Sequence, residues 1–144
     1  MVRVVVVAHD DLASHFLKSA EELLGTMEGV YARDFTRRQS TGELVDELGK
    51  LVDLSGGDDV FILTDFLGGS PCNCACHFIA KNNVWIISGV NLPMLIEIMM
   101  KKDKMPPAEL CEVVIKAARD SIADVCAKFL EGVGARADET KGAS

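Results

Sequence analysis

Val2-Arg3-Val4-Val5-Val6-Val7-Ala8-His9 is the stretch that decides how the chain is read. A run of β-branched residues with no polar alternation marks a strand covered on both faces, and such strands occur chiefly in parallel sheets flanked by helices. Val2 to Ala8 therefore predicts a first strand, with His9 directly at its end. The apolar period then changes: Leu12, Ala13, Phe16, Leu17, Ala20, Leu23 and Leu24 form a helical stripe that Gly25 closes. The opening unit is strand, loop, helix.

The same alternation continues outward from this unit. Val30 to Phe35 predicts a second strand; after the polar stretch Thr36 to Thr41, Leu44, Leu48, Leu51 and Val52 predict a helix that Gly56-Gly57 stops. Val60 to Thr64 predicts a third strand, Cys72 to Ala80 a helix, Val84 to Ser88 a fourth strand and Leu92 to Met100 a helix. Pro106-Pro107 opens a last helix running to about Leu130. Strands alternating with helices imply an α/β fold, an open doubly wound parallel sheet of about four strands built from βαβ crossovers with short connections. Residues 1–131 form one domain in this reading, and the aperiodic polar tail 132–144 is expected to be disordered.

Bulk properties set limits around that frame. A chain of 144 residues can bury a single core, and 49% hydrophobic with 26% charged residues is a globular balance. Apolar runs are too short to cross a bilayer, and no signal peptide is visible, so the expected location is the cytoplasm. A formal net charge of −7, with no basic stripe interleaved with aromatics, disfavours nucleic-acid binding. The odd count of five cysteines argues against a disulfide framework. Cys72, Cys74 and Cys76 raise the option of metal or thiol chemistry, but every second residue on a helix turns by about 200°, which scatters the thiols; buried structural cysteines are expected.

In doubly wound sheets the ligand site lies beyond the carboxyl ends of the strands. Three polar clusters fall there: His9 after strand one, Asp65 after strand three, and Ser88-Gly89-Val90-Asn91 after strand four. An imidazole becomes a phosphoryl acceptor when one ring nitrogen donates to a carboxylate and the other presents its lone pair. Asp65 is placed to be that carboxylate, fixing the tautomer and offsetting charge as the ring attacks. Gly68-Gly69-Ser70-Pro71 supplies a close-approaching backbone and a helix start for the phosphoryl oxygens, with Ser70 in the N-cap role. The same motif also reads as an ordinary strand-to-helix turn. Such chemistry requires no cofactor and formally no metal. His15 and His77 follow no strand and are expected to be structural or solvent-facing.

Three segments together resemble a known family: Val4-Val5-Val6-Val7-Ala8-His9, then Leu63-Thr64-Asp65-Phe66-Leu67-Gly68-Gly69-Ser70-Pro71-Cys72-Asn73, then Ser88-Gly89-Val90-Asn91-Leu92-Pro93-Met94-Leu95. In order and spacing they resemble the mannose-type EIIA domains of the phosphoenolpyruvate-dependent sugar phosphotransferase system, to about residue 130. The resemblance implies a phosphotransferase with a phosphohistidine intermediate at His9. It also implies that Asp65 orients the ring, that Gly68, Gly69 and Ser70 contact the phosphoryl group, and that Asn91 belongs to the site loop. Implied partners are the phosphocarrier HPr as donor, an EIIB domain as acceptor with a membrane permease beyond it, and a second copy in a homodimer. Some relatives exchange a C-terminal strand between subunits, whereas this C-terminus reads as helix. Many members carry glycine after the histidine, where this chain has Asp10-Asp11; capping of the first helix by either acid accounts for them. The four-residue turn Gly68 to Pro71 differs from the shorter turn of the branch that serves dihydroxyacetone kinase. The other open reading is a small-ligand-binding or phosphorylation-dependent regulatory module without transport, at the same sheet edge.

Overall fold

The computed structural model describes residues 1–130. Strand β1, Arg3–His9, is buried along Val4 to Ala8 and pairs on both sides, with β2 (Val30–Phe35) and with β3 (Val60–Thr64). Strand β4 (Val84–Ser88) pairs with β3, giving a four-stranded parallel sheet in the order β2-β1-β3-β4. The uninterrupted valine run has the meaning expected of it, because each face of β1 meets its own helical layer. Val4, Val6 and Ala8 pack in one cluster with residues of α1 (Leu12–Leu24), α4 (Leu92–Lys101) and α5 (Pro107–Asp120). Val5 and Val7 pack on the other face with Leu44, Leu48 and Val52 of α2 (Thr41–Asp53) and with Cys74 and Ala75 of α3 (Ser70–Ala75). Each fully buried aliphatic side chain contributes about 1.5–3 kcal/mol relative to exposure.

The chain leaves β1 toward β2 on one side and returns through β3 toward β4 on the other, so β1 and β3 flank the switch point of the sheet. Loops that diverge from neighbouring strand ends leave a crevice between them. His9 closes β1, and Asp65 follows β3 immediately.

Three local expectations need correction. The helix predicted over Cys72 to Ala80 starts earlier, at Ser70, and ends at Ala75 in a 3₁₀ turn over Cys76–Phe78. The His77 ring Nδ1 lies 3.3 Å from the Asn73 carbonyl and 3.2 Å from that of Cys74, sharing acceptors that a continuing helix would use. The final helix breaks after Asp120 and resumes as α6, Val125–Leu130. Ser121 bonds back to the Ala118 carbonyl at 2.6 Å, and Asp124 accepts the Ala127 amide at 3.0 Å, which starts a new helix. Neither Asp10 nor Asp11 caps α1 with its carboxylate: Asp11 pairs with His15 at 3.2 Å, and the Ser14 amide donates instead to Asp34, on β2, at 3.0 Å. A cap reaching in from a neighbouring strand leaves no local sequence signal.

After α4 the described residues hold helices α5 and α6 and no strand, so a C-terminal strand has no counterpart among them. The tail expectation for 132–144 lies outside the described residues. Among the described residues no helix is long and apolar enough to cross a membrane. Cys72 and Cys74 are buried and Cys76 is exposed, and among the described residues no three His, Cys, Asp or Glu side chains are grouped to hold a metal ion.

Candidate functional site

His9 is held by hydrogen bonds to one carboxylate and by ring contacts with two aromatic side chains. Its Nδ1 lies 2.6 Å from Oδ2 of Asp65, and its main-chain amide donates to the same oxygen at 3.0 Å. The other carboxylate oxygen, Oδ1, accepts the Phe66 amide at 3.0 Å. A carboxylate only accepts, so Nδ1 carries the hydrogen of this contact, and in the neutral ring the lone pair is on Nε2. Burial of Asp65 opposes its ionisation, but hydrogen bonds from the His9 amide and ring, the ring's charge when protonated, and the Phe66 amide outweigh it and hold its carboxyl below the ordinary range. The side chain of Asp65 is 10% exposed while that of His9 is 40% exposed. The orienting group is thus sheltered while the ring stays open to a partner.

Two aromatic rings fix the plane of the imidazole. Phe66 stacks on it with centroids 5.0 Å apart and planes 13° apart, and Phe35 meets it edge-on at 6.2 Å. Phe35 ends β2 in register with His9, and Phe66 follows Asp65. Phe66 remains 54% exposed and Leu67 83%, so an apolar rim stands beside the reactive ring. Sequence reading did not single out either phenylalanine, although their positions at the same strand ends as His9 and Asp65 were available as a signal.

The glycine turn approaches the ring closely. A Cβ on Gly69 would fall 2.8 Å from Cζ of Phe66 and 3.0 Å from Cε1 of His9, the ring carbon between the two nitrogens. Gly69 therefore brings bare backbone to the ring at a point no side chain can share. Gly68 has φ +85°, a left-handed conformation that glycine adopts at little cost. Gly69, not Ser70, is the N-cap of α3; Ser70 is the first helical residue and Pro71 the second, and the Asn73 side chain ties the turn by donating to the Gly68 carbonyl at 3.2 Å.

The other sequence-predicted residue, Asn91, is engaged elsewhere. Its Oδ1 accepts the Met94 amide at 2.9 Å as the cap of α4, and its Nδ2 lies 3.3 Å from the Ala118 carbonyl and 3.4 Å from Ser121 Oγ. It lines a separate cavity of about 290 Å³ between β4 and α5, which does not include His9. His9 and Asp10 instead line a wide cavity with Phe35 to Gln39, from the end of β2 and the turn after it. Asp10 has φ +54°, a left-handed backbone unusual for any residue but glycine, asparagine or aspartate. Glycine would adopt that conformation at little cost. His15 and His77 are both exposed and away from strand ends.

Known proteins share this chain's pattern. A family model described as the PTS system fructose IIA component, EIIA-man, matches residues 3–115. The mannose-specific EIIAB component of Escherichia coli K12 is 33% identical over 133 residues, which is 90% of this chain but 41% of that protein, so the chain spans less than half of its length. The fructose-specific EIIA component of Bacillus subtilis is 27% identical over 98% of this chain and 97% of its own. Among solved structures, an EIIA component from Streptococcus agalactiae superposes with a TM-score of 0.81 at 26% identity, covering 86% of this chain and 97% of that one. A match running from β1 into α5 takes in both His9 and Asp65, and this chain belongs to the EIIA-man family, the mannose and fructose IIA components of the phosphotransferase system.

Proposed function

We propose that this chain carries a phosphoryl group on Nε2 of His9 and passes it between proteins of the sugar phosphotransferase system. The observation that carries the reading is the 2.6 Å contact between His9 Nδ1 and Asp65, which leaves Nε2 as the nitrogen not engaged by the carboxylate on an accessible ring. The lone pair of Nε2 attacks phosphorus, the donor's nitrogen–phosphorus bond breaks, and its electron pair returns to the donor ring. The Nδ1 proton stays on the hydrogen bond to Asp65, whose carboxylate balances the positive imidazole. Phosphoryl transfer needs little covalent help beyond positioning and electrostatics. Gly68, Gly69 and Ser70 act there as the turn that meets the phosphoryl oxygens, and Gly69 is supported in that role by its approach to Cε1 of the ring. Asn91 serves the site at one remove, by holding the loop after β4.

Family membership supports the direction of flow: phospho-HPr donates, and an EIIB domain accepts, with a membrane permease as an indirect partner beyond it. The exposed Phe66 and Leu67 beside His9 suit docking of a protein rather than a solute. Residues 1–131 act as the transferring unit in the cytoplasm, paired with a second copy. Incubation with phosphoenolpyruvate, enzyme I and HPr labels the wild type and leaves His9→Gln unlabelled; a labelled His9→Gln protein removes the reading.

A further inference from the structure

The turn after β2 brings two arginines to the cavity that His9 lines. The Gln39 amide donates to the Thr36 carbonyl at 3.1 Å, which places Arg37 and Arg38 at the two central positions of a tight turn. The turn is held at both ends. At its root the Asp10 amide donates to the Phe35 carbonyl at 2.9 Å, and beyond it Gln39 Nε2 donates to Glu47 of α2 at 2.9 Å. The arginine turn is therefore fastened to the residue that follows His9. Arg37 and Arg38 share with His9 and Asp10 a cavity of about 900 Å³.

Neither arginine forms an ion pair with a carboxylate among the described residues. In a chain of net charge −7, the residues lining this cavity carry two guanidinium groups and one carboxylate, that of Asp10, while the Asp65 carboxylate is engaged with the Nδ1 side of the ring. We propose that Arg37 and Arg38 are positioning residues for the phosphoryl group on His9, holding its oxygens from the turn after β2 while Asp65 holds the ring. The proposal rests on the reading that His9 carries that group. A guanidinium presents a planar fork of donors matched to phosphate oxygens, and a loose transition state spreads its charge over those oxygens. The pair also offsets the repulsion that Asp10 exerts on a dianion.

The test compares wild type, Arg37→Gln/Arg38→Gln and Arg37→Lys/Arg38→Lys, each phosphorylated through phosphoenolpyruvate, enzyme I and HPr. The phosphorus-31 resonance of each isolated phosphoprotein is followed against pH, beside the rate of phosphorylation. Neutralising the pair should raise the midpoint of the phosphoryl group's second ionisation by about 0.5 pH unit or more and slow transfer by roughly threefold to tenfold; lysine should restore most of both. Both arginines are exposed on a turn, so melting temperature should hold. An unmoved midpoint in the glutamine variant overturns the proposal, including the case in which only the rate falls, since that result assigns the arginines to docking of the donor protein. Labelling of His9→Gln is a different failure, because it removes the phosphohistidine reading itself.

Discussion

A single carboxylate oxygen, Oδ2 of Asp65, receives both the ring Nδ1–H and the main-chain N–H of His9, at 2.6 and 3.0 Å. Because both donors belong to one residue, the bond pair fixes the histidine's side-chain direction and its tautomer together. Neutralising that oxygen removes both effects in part and the charge compensation entirely. Asp65→Asn should leave the fold intact and slow phosphorylation of His9 by about 10²-fold or more. Stopped-flow or quench-flow transfer from phospho-HPr measures this, and an unchanged rate argues against the orienting role.

The same carboxylate gives stability a pH signature. Its pKa is depressed in the folded protein, so its contribution is fully present above the unfolded-state pKa and is lost as pH falls through the folded-state value. The stability gap between wild type and Asp65→Asn should close as the solution becomes more acid than the ordinary carboxylate range. Urea unfolding across pH checks it; a gap that widens on acidification contradicts the assigned protonation.

Gly69 separates site geometry from folding. With φ −71° its backbone accepts alanine at no conformational cost, but the new methyl meets Cζ of Phe66 at 2.8 Å and Cε1 of His9 at 3.0 Å. Gly69→Ala should change stability by about 1 kcal/mol or less and lower transfer by about tenfold or more, since displacement of a reacting group is costly. In a Phe66→Ala background the methyl has room, and the penalty of Gly69→Ala should shrink. A double-mutant cycle of transfer rates reads the coupling, and strict additivity would show that the two residues act independently.

Capping of α1 comes from the neighbouring strand. Asp34→Ala should destabilise by about 0.5–2 kcal/mol, while Asp11→Ala, which loses only an exposed pair with His15, should cost less than about 0.5 kcal/mol. Thermal unfolding of the two variants distinguishes them, and equal losses contradict the cap assignment.

Asp10 is held left-handed, so its replacement reports on backbone strain. Asp10→Gly should leave stability level or raise it by roughly 0.5–1 kcal/mol, whereas Asp10→Val should lower it by about 1–2 kcal/mol. Denaturant midpoints check the pair of variants, with the reverse order speaking against strain at this position.

The sheet is legible in the sequence because β1 and β3 are buried on both faces, and the half-buried β2 and β4 are still short runs rich in β-branched and aromatic residues. β2, β3 and β4 run over the predicted residues, and β1 is offset by one residue, from Arg3 to His9. His9 and Asp65 are legible together because strand order puts the ends of β1 and β3 side by side. What escapes the sequence depends on long-range contact or on capping within a helix. Asp34 reaches α1 across 20 residues, and Asp124 restarts a helix inside a stretch whose apolar spacing reads as continuous. The stacking of Phe66 on His9 requires the turn geometry of Gly68-Gly69, which the sequence announces only as a turn. Asn91 lies at the expected sheet edge, but its side chain is occupied by α4 and α5.

Identifying the atom that bears phosphate tests the central claim most directly. Phosphorylated protein examined by peptide mapping together with nitrogen-15 and phosphorus-31 NMR of the histidine ring should show one phosphoryl group, on His9, bonded to Nε2, with Nδ1 still protonated toward Asp65. Phosphate found on Nδ1 of His9, or on His15 or His77, contradicts it.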